Sequence, residues 1–268
     1  MDHVASPPPA RPASTVIIAR DAGSEIEVLL AKRAATLRFM ANAHVFPGGA
    51  LHEGDRADAL APRTRRIPQA WPDGLDPVVD RALAWTALRE TLEEVGVLLG
   101  ADQQVDPTHI GELRRGLHAG EPLAVMLERL DLTLDLGVLV PLIRWITPRS
   151  EPVRFDTRFY VAPAPVVQAL HPDGTETSDA IWCSPRVAIA EHDRGSMILS
   201  PPTRRTLLEI TDVPTVAQLL ERARCNAPFT VEPILRIEAN GDRLILFPGD
   251  PDHPVRERLL RGPTRAVW

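Results

Sequence analysis

Residues 76–100 carry a regular hydrophobic pattern, and that pattern predicts one helix. Asp76 is a good N-cap, and Pro77 suits the first helical position, where its missing N–H costs nothing. Large apolar side chains then recur at spacings of three and four residues, at Trp85, Leu88, Leu92, Val95 and Leu99. We therefore expect an amphipathic helix with one apolar stripe anchored in a core.

The opposite side of this predicted helix carries a cluster of acids. At about 100° per residue, Glu90, Glu93 and Glu94 share one sector of the helix surface. Like charges three and four residues apart destabilise a helix, and anions near its C-terminus oppose the macrodipole. Only Arg89 is at hand to offset them, because no cation follows one turn later. This arrangement favours a site for a divalent cation such as Mg²⁺ over a merely solvated surface.

Short apolar runs predict strands on both sides of the acidic helix. Residues 15–20 and 26–32 read as two strands joined by a turn, and a third short strand leads to a stop at Pro47-Gly48-Gly49. The double glycine there permits close backbone approach. Further strands are predicted at 138–147, 154–162 and 180–184, and further helices at 107–130, 185–192, 203–210 and 216–224. With a terminal hairpin at Asn240-Gly241, this order indicates a mixed α/β fold with helices on both faces of a sheet.

Composition narrows the class of protein. The chain has 268 residues, 44% of them hydrophobic, and a net charge of −6. This charge and the lack of a basic stripe make an RNA-directed hydrolase a minor option, so we expect no nucleic-acid partner. Two cysteines without a paired motif fit a reducing compartment, and the absence of a signal pattern predicts a cytoplasmic protein. The longest apolar run, residues 132–146, is interrupted by charges and proline and is too short to cross a membrane.

The glycine turn and the acidic helix together form a recognisable motif. Gly49 is followed after five residues by Asp55, and the helix contains Arg89-Glu90-Thr91-Leu92-Glu93-Glu94-Val95-Gly96-Val97. This combination resembles the box of the Nudix hydrolases, G-x5-E-x7-R-E-U-x-E-E-x-G-U, where U is a bulky aliphatic residue. Two features depart from the box: Asp55 replaces a glutamate, and residues 56–88 provide 33 residues where the box has seven. The shorter arm of Asp55 is expected to weaken a helix or metal contact.

The insertion indicates one subgroup of this family. Placed at about residues 56–76, and followed by Trp145-Ile146-Thr147-Pro148 and Arg154-Phe155-Asp156-Thr157, it looks like the subgroup related to nucleoside diphosphate-linked moiety X motif 19. Members of that subgroup are similar to coenzyme A and acyl-coenzyme A diphosphatases. Upstream, Leu29-Leu30-x-x-Arg33-x-x-x-Leu37-Arg38 partly resembles the coenzyme A signature that precedes the box. Coenzyme A or acyl-coenzyme A is thus the leading substrate; the alternatives are an ADP-ribose- or NADH-type diphosphate and a non-catalytic nucleotide-binding module.

The resemblance implies an α/β fold, the αβα sandwich with a mixed β-sheet, here with a box insertion and additional C-terminal helices and a hairpin. We expect a disordered arm over residues 1–13 and a single domain over 14–268, whose C-terminal extension begins at about residue 190. The insertion is expected to fold over a small nucleotide-type substrate as a lid. A homodimer is compatible with the family and with the long C-terminal part.

The resemblance also implies roles for the residues of the box. Glu90, Glu93 and Glu94 match the glutamates that bind Mg²⁺, with Mn²⁺ as an alternative ion, and the backbone of Gly49 approaches the same metal. Arg89 matches the arginine that orients these glutamates. Glu93 and Glu94 are in addition expected to act in catalysis.

Other implied site residues lie outside the helix. Glu176 stands six residues before Trp182, a spacing like that of a further acid in some family members, which serves as a metal ligand or as the general base. Gly48, Arg33 and Arg38 are expected to bind the substrate. The arginines of the insertion are further candidates for a phosphate clamp: Arg63, Arg65 and Arg66.

Overall fold

The computed structural model describes residues 7–37, 40–72, 75–101, 105–166, 168–238 and 241–267. Its strands β1 to β11 are Arg11–Ala22, Glu25–Arg33, His44–Val45, Gly48–Ala50, Val140–Ile146, Phe155–Pro163, Thr177–Cys183, Phe229–Val231, Ile234–Ile237, Arg243–Leu246 and Arg265–Val267. Its helices α1 to α6 are Pro77–Val95, Pro107–His118, Leu123–Arg129, Pro185–Asp193, Pro201–Ile210 and Val216–Cys225. In these described ranges, no helix has both the length and the apolar character needed to cross a membrane.

A mixed eight-stranded sheet forms the centre of the fold. Its strand order is β3-β2-β1-β6-β5-β8, with β4 paired to β1 and β7 paired to β2. Strand β1 runs parallel to β6, from the pair Arg11↔Phe155 to the pair Ala19↔Pro163, and antiparallel to β2. Because β1 begins at Arg11, residues 11–13 belong to the sheet, whereas the sequence assigns them to the N-terminal arm.

Alternate residues of β1 pack into two separate cores. Val16 and Ile18 join the core formed with α1, α2 and α3, whereas Ile17 and Ala19 join the core formed with α4, α5 and α6. Successive strand side chains point to opposite faces, so a strand segment that is buried on both faces has a covering layer on each side. The predicted αβα sandwich with a mixed sheet is therefore confirmed.

The C-terminal part adds to the layer formed by α4, α5 and α6. Strand β8 joins the edge of the main sheet parallel to β5, and β9, β10 and β11 form a separate antiparallel sheet in the order β11-β10-β9. The pairing of β9 with β10 confirms the predicted hairpin, although Asn240 of its turn lies outside the described residues. Phe247, which directly follows β10, links the small sheet to the main sheet. Its ring packs edge-on against Trp145 of β5 and lies under the guanidinium of Arg205.

The box insertion packs against the body of the fold beside the first turns of α1. Trp71 is only 5% exposed, stands edge-on to Tyr160 of β6 and donates a hydrogen bond from Nε1 to the Tyr160 hydroxyl at 3.1 Å. Trp85 of α1 donates from Nε1 to the Thr64 hydroxyl at 3.2 Å. Trp71 and Trp85 both belong to the core on this side of the sheet, so the insertion helps to build that core.

Candidate active site

Helix α1 carries the predicted glutamates in its last turns and then stops sharply. At its start, the Asp76 carboxylate accepts a hydrogen bond from the Val78 amide, as expected of an N-cap. At its end, Gly96 has a φ of 74°, a left-handed conformation that glycine adopts without strain, and its amide donates to the Leu92 carbonyl. Residues 82–92 are buried without interruption, so burial of the helix extends well beyond the single apolar stripe that its periodicity predicts.

The glycine turn approaches the acidic side of α1 so closely that only glycine fits. A Cβ added to Gly49 would lie 2.4 Å from Oε1 of Glu90, and one added to Gly48 would lie 2.2 Å from the Ser14 carbonyl oxygen. The Gly48 amide donates a hydrogen bond to Oε2 of Glu94 at 3.0 Å. Strand β4, which contains both glycines, therefore covers the glutamates and brings backbone directly against two carboxylates.

Asp55 forms a closed network with Arg89 despite its short arm. Arg89 donates from Nε to Asp55 Oδ1 at 2.8 Å and from Nη2 to Oδ2 at 3.1 Å. The Thr86 hydroxyl and the His52 amide also donate to Asp55 Oδ2, each at 2.9 Å. The shorter side chain of Asp55 still reaches helix α1, because the 3₁₀ turn Glu53–Arg56 carries it up to the helix.

Arg89 also contacts two of the three glutamates. Its Nη2 lies 2.9 Å from Glu90 Oε1, its Nη1 donates to Glu93 Oε2 at 3.0 Å, and Nη2 donates to the Ala50 carbonyl at 3.1 Å. With Asp55 on one side and the glutamates on the other, the guanidinium is fixed from several directions. This geometry suits a residue that orients glutamates.

The two innermost glutamates are short of positive charge. Burial raises the pKa of Glu90 to about 7, although the neighbouring Arg89 guanidinium opposes the shift. Burial and the charge of Glu90 raise the pKa of Glu94 well above its ordinary value, against smaller opposite effects of the Gly48 amide and Arg33. A single arginine between several buried carboxylates does not balance them, so a bound cation would stabilise their charged forms.

The donor chemistry of these residues fits a hard divalent cation. Carboxylate oxygens are the donors that Mg²⁺ and Mn²⁺ prefer, and Glu90 and Glu94 lie side by side under the glycine turn. As the side chains stand, Glu93 is paired with Arg89. Across the described residues, no three acidic, histidine or cysteine side chains are grouped closely enough to hold an ion in this arrangement.

A cleft of about 430 Å³ opens above the glutamates. Glu176 lines it together with Glu90, Glu93 and Glu94, so the structure brings the predicted catalytic and metal-binding acids together. Further lining residues come from segments that the sequence analysis did not assign to the site: His52, Leu117, His118, Asp173 and Thr175. Only Asp173 carried a signal that could have revealed it, since Asp-Gly-Thr in the segment before Glu176 is typical of a tight turn.

The predicted phosphate-binding arginines are distributed differently from expectation. Arg33, at the end of β2, lies close enough to Glu94 for its charge to act there, whereas Arg38 falls outside the described residues. No described residue of the insertion lines the cleft, so in this structure the insertion does not cover the site, and its role as a lid stays a prediction. The insertion arginines instead pair with acids of the segment after α3: Arg63 with Asp131, and Arg65 and Arg66 with Asp135.

Comparison with known proteins agrees with this fold. The family described as the NUDT19 Nudix domain matches residues 71–210, just over half of the chain. Acyl-coenzyme A diphosphatase NUDT19 of Gallus gallus is 25% identical in an alignment that covers 91% of this chain and 78% of that protein. The Homo sapiens protein of the same name is 28% identical, with 83% of this chain and 71% of that protein covered. The crystal structure of a Nudix hydrolase from Alicyclobacillus acidocaldarius superimposes with a TM-score of 0.69 at 33% identity, covering 80% of this chain and 96% of that one. The chain therefore belongs to the Nudix hydrolases.

Proposed function

We propose that this hydrolase cleaves the diphosphate bond of a nucleoside diphosphate linked to another moiety, with coenzyme A or acyl-coenzyme A as its leading substrate. The observation that carries the proposal is the pair of buried carboxylates, Glu90 and Glu94, held against the Gly48–Gly49 backbone at one end of an acidic cleft. Buried acids without enough positive charge are unfavourable unless a cation and its anionic substrate occupy the site.

Glu90, Glu93 and Glu94 would hold the Mg²⁺ or Mn²⁺ ion, with the Gly49 backbone beside it. Such an ion neutralises phosphate oxygens and lowers the pKa of a bound water. Arg89 keeps Glu90 and Glu93 in place through its pairs at 2.9 and 3.0 Å. The absence of side chains at Gly48 and Gly49 leaves room for a phosphate group to approach the carboxylates.

Glu176 is our assignment for the proton acceptor. In the reaction, a water oxygen attacks one phosphorus of the diphosphate, the bond from that phosphorus to the bridging oxygen breaks, and the proton of the water passes to a carboxylate. Glu93 is already engaged by Arg89, whose Nη1 donates a hydrogen bond to Glu93 Oε2 at 3.0 Å. Glu176 is exposed on the wall of the cleft and is free of such an arginine pair among the described contacts, so it is better placed to take the proton.

The substrate assignment draws on the relatives and on the end of β2. Two similar proteins are named acyl-coenzyme A diphosphatases, and the partial coenzyme A signature includes Arg33, whose charge acts on Glu94. Arg33 would contribute a cation for the phosphates of such a substrate.

A hydrolysis screen tests this proposal. The purified protein with Mg²⁺ or Mn²⁺ would be offered coenzyme A, an acyl-coenzyme A, ADP-ribose, NADH and capped RNA, and the products separated by chromatography. Release of adenosine 3′,5′-bisphosphate from coenzyme A or its acyl ester is the expected result. Brisk cleavage of ADP-ribose without that product would refute the coenzyme A assignment, and unchanged turnover and Mg²⁺ affinity in Glu94→Gln would refute the metal site.

A further inference from the structure

The loop that carries Glu176 is attached to the end of helix α1. It spans residues 171–176, immediately before β7, and two of its amides donate to carbonyls of the last helical turn. The His171 amide donates to the Val95 carbonyl at 2.9 Å, and the Asp173 amide donates to the Glu94 carbonyl at 3.1 Å. The last carbonyls of a helix have no partner within the helix, so this loop both caps α1 and is located by it.

The Asp173 side chain organises the rest of this loop. Its Oδ1 accepts hydrogen bonds from three successive amides, those of Thr175 at 2.9 Å, Glu176 at 3.0 Å and Thr177 at 2.8 Å. Its Oδ2 accepts a hydrogen bond from the Thr175 hydroxyl at 2.9 Å. One carboxylate therefore sets the backbone on both sides of Glu176, in the manner of an Asx turn.

The far side of Glu176 is attached to the sheet. The Ala34 amide, just after β2, donates to the Glu176 carbonyl at 2.8 Å, and Thr177 begins β7, which pairs with β2. Glu176 thus has its backbone held at both ends while its side chain remains exposed in the cleft. A loop rich in small polar residues would otherwise have many backbone conformations available.

We infer that Asp173 is a positioning residue, which sets the location of the Glu176 carboxylate opposite Glu90 and Glu94. The inference rests on the proposed function, because it gives Asp173 its role through the proton acceptor of that reaction. A displacement of about 1 Å in a catalytic group can lower a rate by about 10²-fold, so a residue that only holds the loop can matter as much as one that contacts the substrate.

A double-mutant cycle separates this role from simple structural support. The enzyme and its variants Glu176→Gln, Asp173→Ala and the double variant would be compared by kcat and KM on the diphosphate that the wild type cleaves. We expect Glu176→Gln and Asp173→Ala each to lower kcat by about 10²-fold, mainly in kcat rather than KM. Asp173→Ala should lower kcat by less than about threefold in the Glu176→Gln background, because residues acting as a unit are not additive. An equal loss in both backgrounds would overturn the inference.

Asp173→Asn is the conservative rescue. Its amide oxygen can still accept from the three backbone amides, so its kcat should stay within about threefold of the wild type. If Asp173 instead contacted the metal or the substrate through its charge, Asp173→Asn would lose as much activity as Asp173→Ala, and the inference would fail. Asp106→Ala is the matched control, since it removes a similar cap, from the Thr108 amide at 2.8 Å, at the exposed start of α2.

Hydrogen exchange tests the loop without relying on turnover. The amides of Thr175, Glu176 and Thr177 should exchange at least about tenfold faster in Asp173→Ala than in the wild type or in Asp173→Asn, because they lose their acceptor. Unchanged exchange would refute the positioning role of Asp173, whether or not the protein cleaves any diphosphate in the screen. A protein that cleaves none of them would refute the proposed function instead. The failure of the inference and the failure of the proposed function are therefore distinguishable.

Discussion

Replacement of Asp55 by alanine tests the hydrogen-bond network between Asp55 and Arg89, which joins the two halves of the box across the insertion. Asp55 is 4% exposed and Arg89 is 7% exposed, so the ion pair between them is shielded from water. Alanine would remove the acceptor of two Arg89 donors, of the Thr86 hydroxyl and of the His52 amide. Part of the Arg89 charge would remain balanced by its two glutamate partners.

The expected loss of stability depends on which former partners of Asp55 are left without an acceptor. Removing one partner of a buried ion pair costs about 3–5 kcal/mol, and the remaining partners of Arg89 favour the lower end, so we expect a loss of about 3 kcal/mol in the free energy of unfolding. Asp55→Asn retains one acceptor oxygen but loses the charge. It should cost about 2 kcal/mol, since a hydrogen bond to a charged group contributes about 1.5–3 kcal/mol.

Urea unfolding followed by tryptophan fluorescence measures these differences, provided that the slope with denaturant is unchanged. Asp193→Ala is a suitable control, because Asp193 also pairs with an arginine, Arg204 at 2.9 Å, but its side chain is 54% exposed. An exposed pair contributes less than about 1 kcal/mol. If Asp55→Ala lay within about 1 kcal/mol of the wild type, or if Asp193→Ala cost as much, the argument from burial would be wrong.

Three further predictions follow from contacts elsewhere in the structure. Gly49→Ala would place a Cβ 2.4 Å from Glu90 Oε1 and should lower kcat by about 10²-fold. The control Gly54→Ala should not change kcat, because a Cβ there meets nothing within 4 Å. Equal kinetics for the two variants would contradict the close approach of Gly49 to Glu90. Trp71→Ala should lower the free energy of unfolding by about 3–5 kcal/mol in the same urea assay, because Trp71 is a core residue. Lost activity with unchanged stability would instead indicate that the insertion acts as a lid. Asp250 has a pKa lowered to about 2, chiefly by its hydrogen bond from the arginine of β11. Its charged form therefore adds stability above about pH 4 that is lost as the pH falls toward its folded-state pKa. Urea unfolding at pH 5 and pH 3 should show a smaller pH dependence for Asp250→Asn than for the wild type, and an equal dependence would exclude this role.

The sequence by itself determined the start of the acidic helix, the grouping of its acids and the family. The N-cap Asp76 and the spacing of Glu90, Glu93 and Glu94 depend on interactions within a few turns of one helix, which the order of residues specifies directly. The predicted extension of this helix to residue 100 is wrong, because Gly96 adopts a left-handed conformation and ends the helix at Val95. The pairing of β9 with β10 was predictable because a short turn needs few distant contacts.

Only the tertiary structure decided which of these groups are buried and what they contact. Whether Glu90 lies in solvent or beneath a glycine turn depends on β4, about 40 residues earlier, and no helical period encodes that cover. The same holds for Asp55, which closes on Arg89 through a 3₁₀ turn, and for Trp71, which the fold places in the core. Asp173 gained its role only when the end of α1 and the loop before β7 came together. Burial and pairing arise from segments far apart in the chain, so they could be determined only after the layers of the sandwich had been assembled.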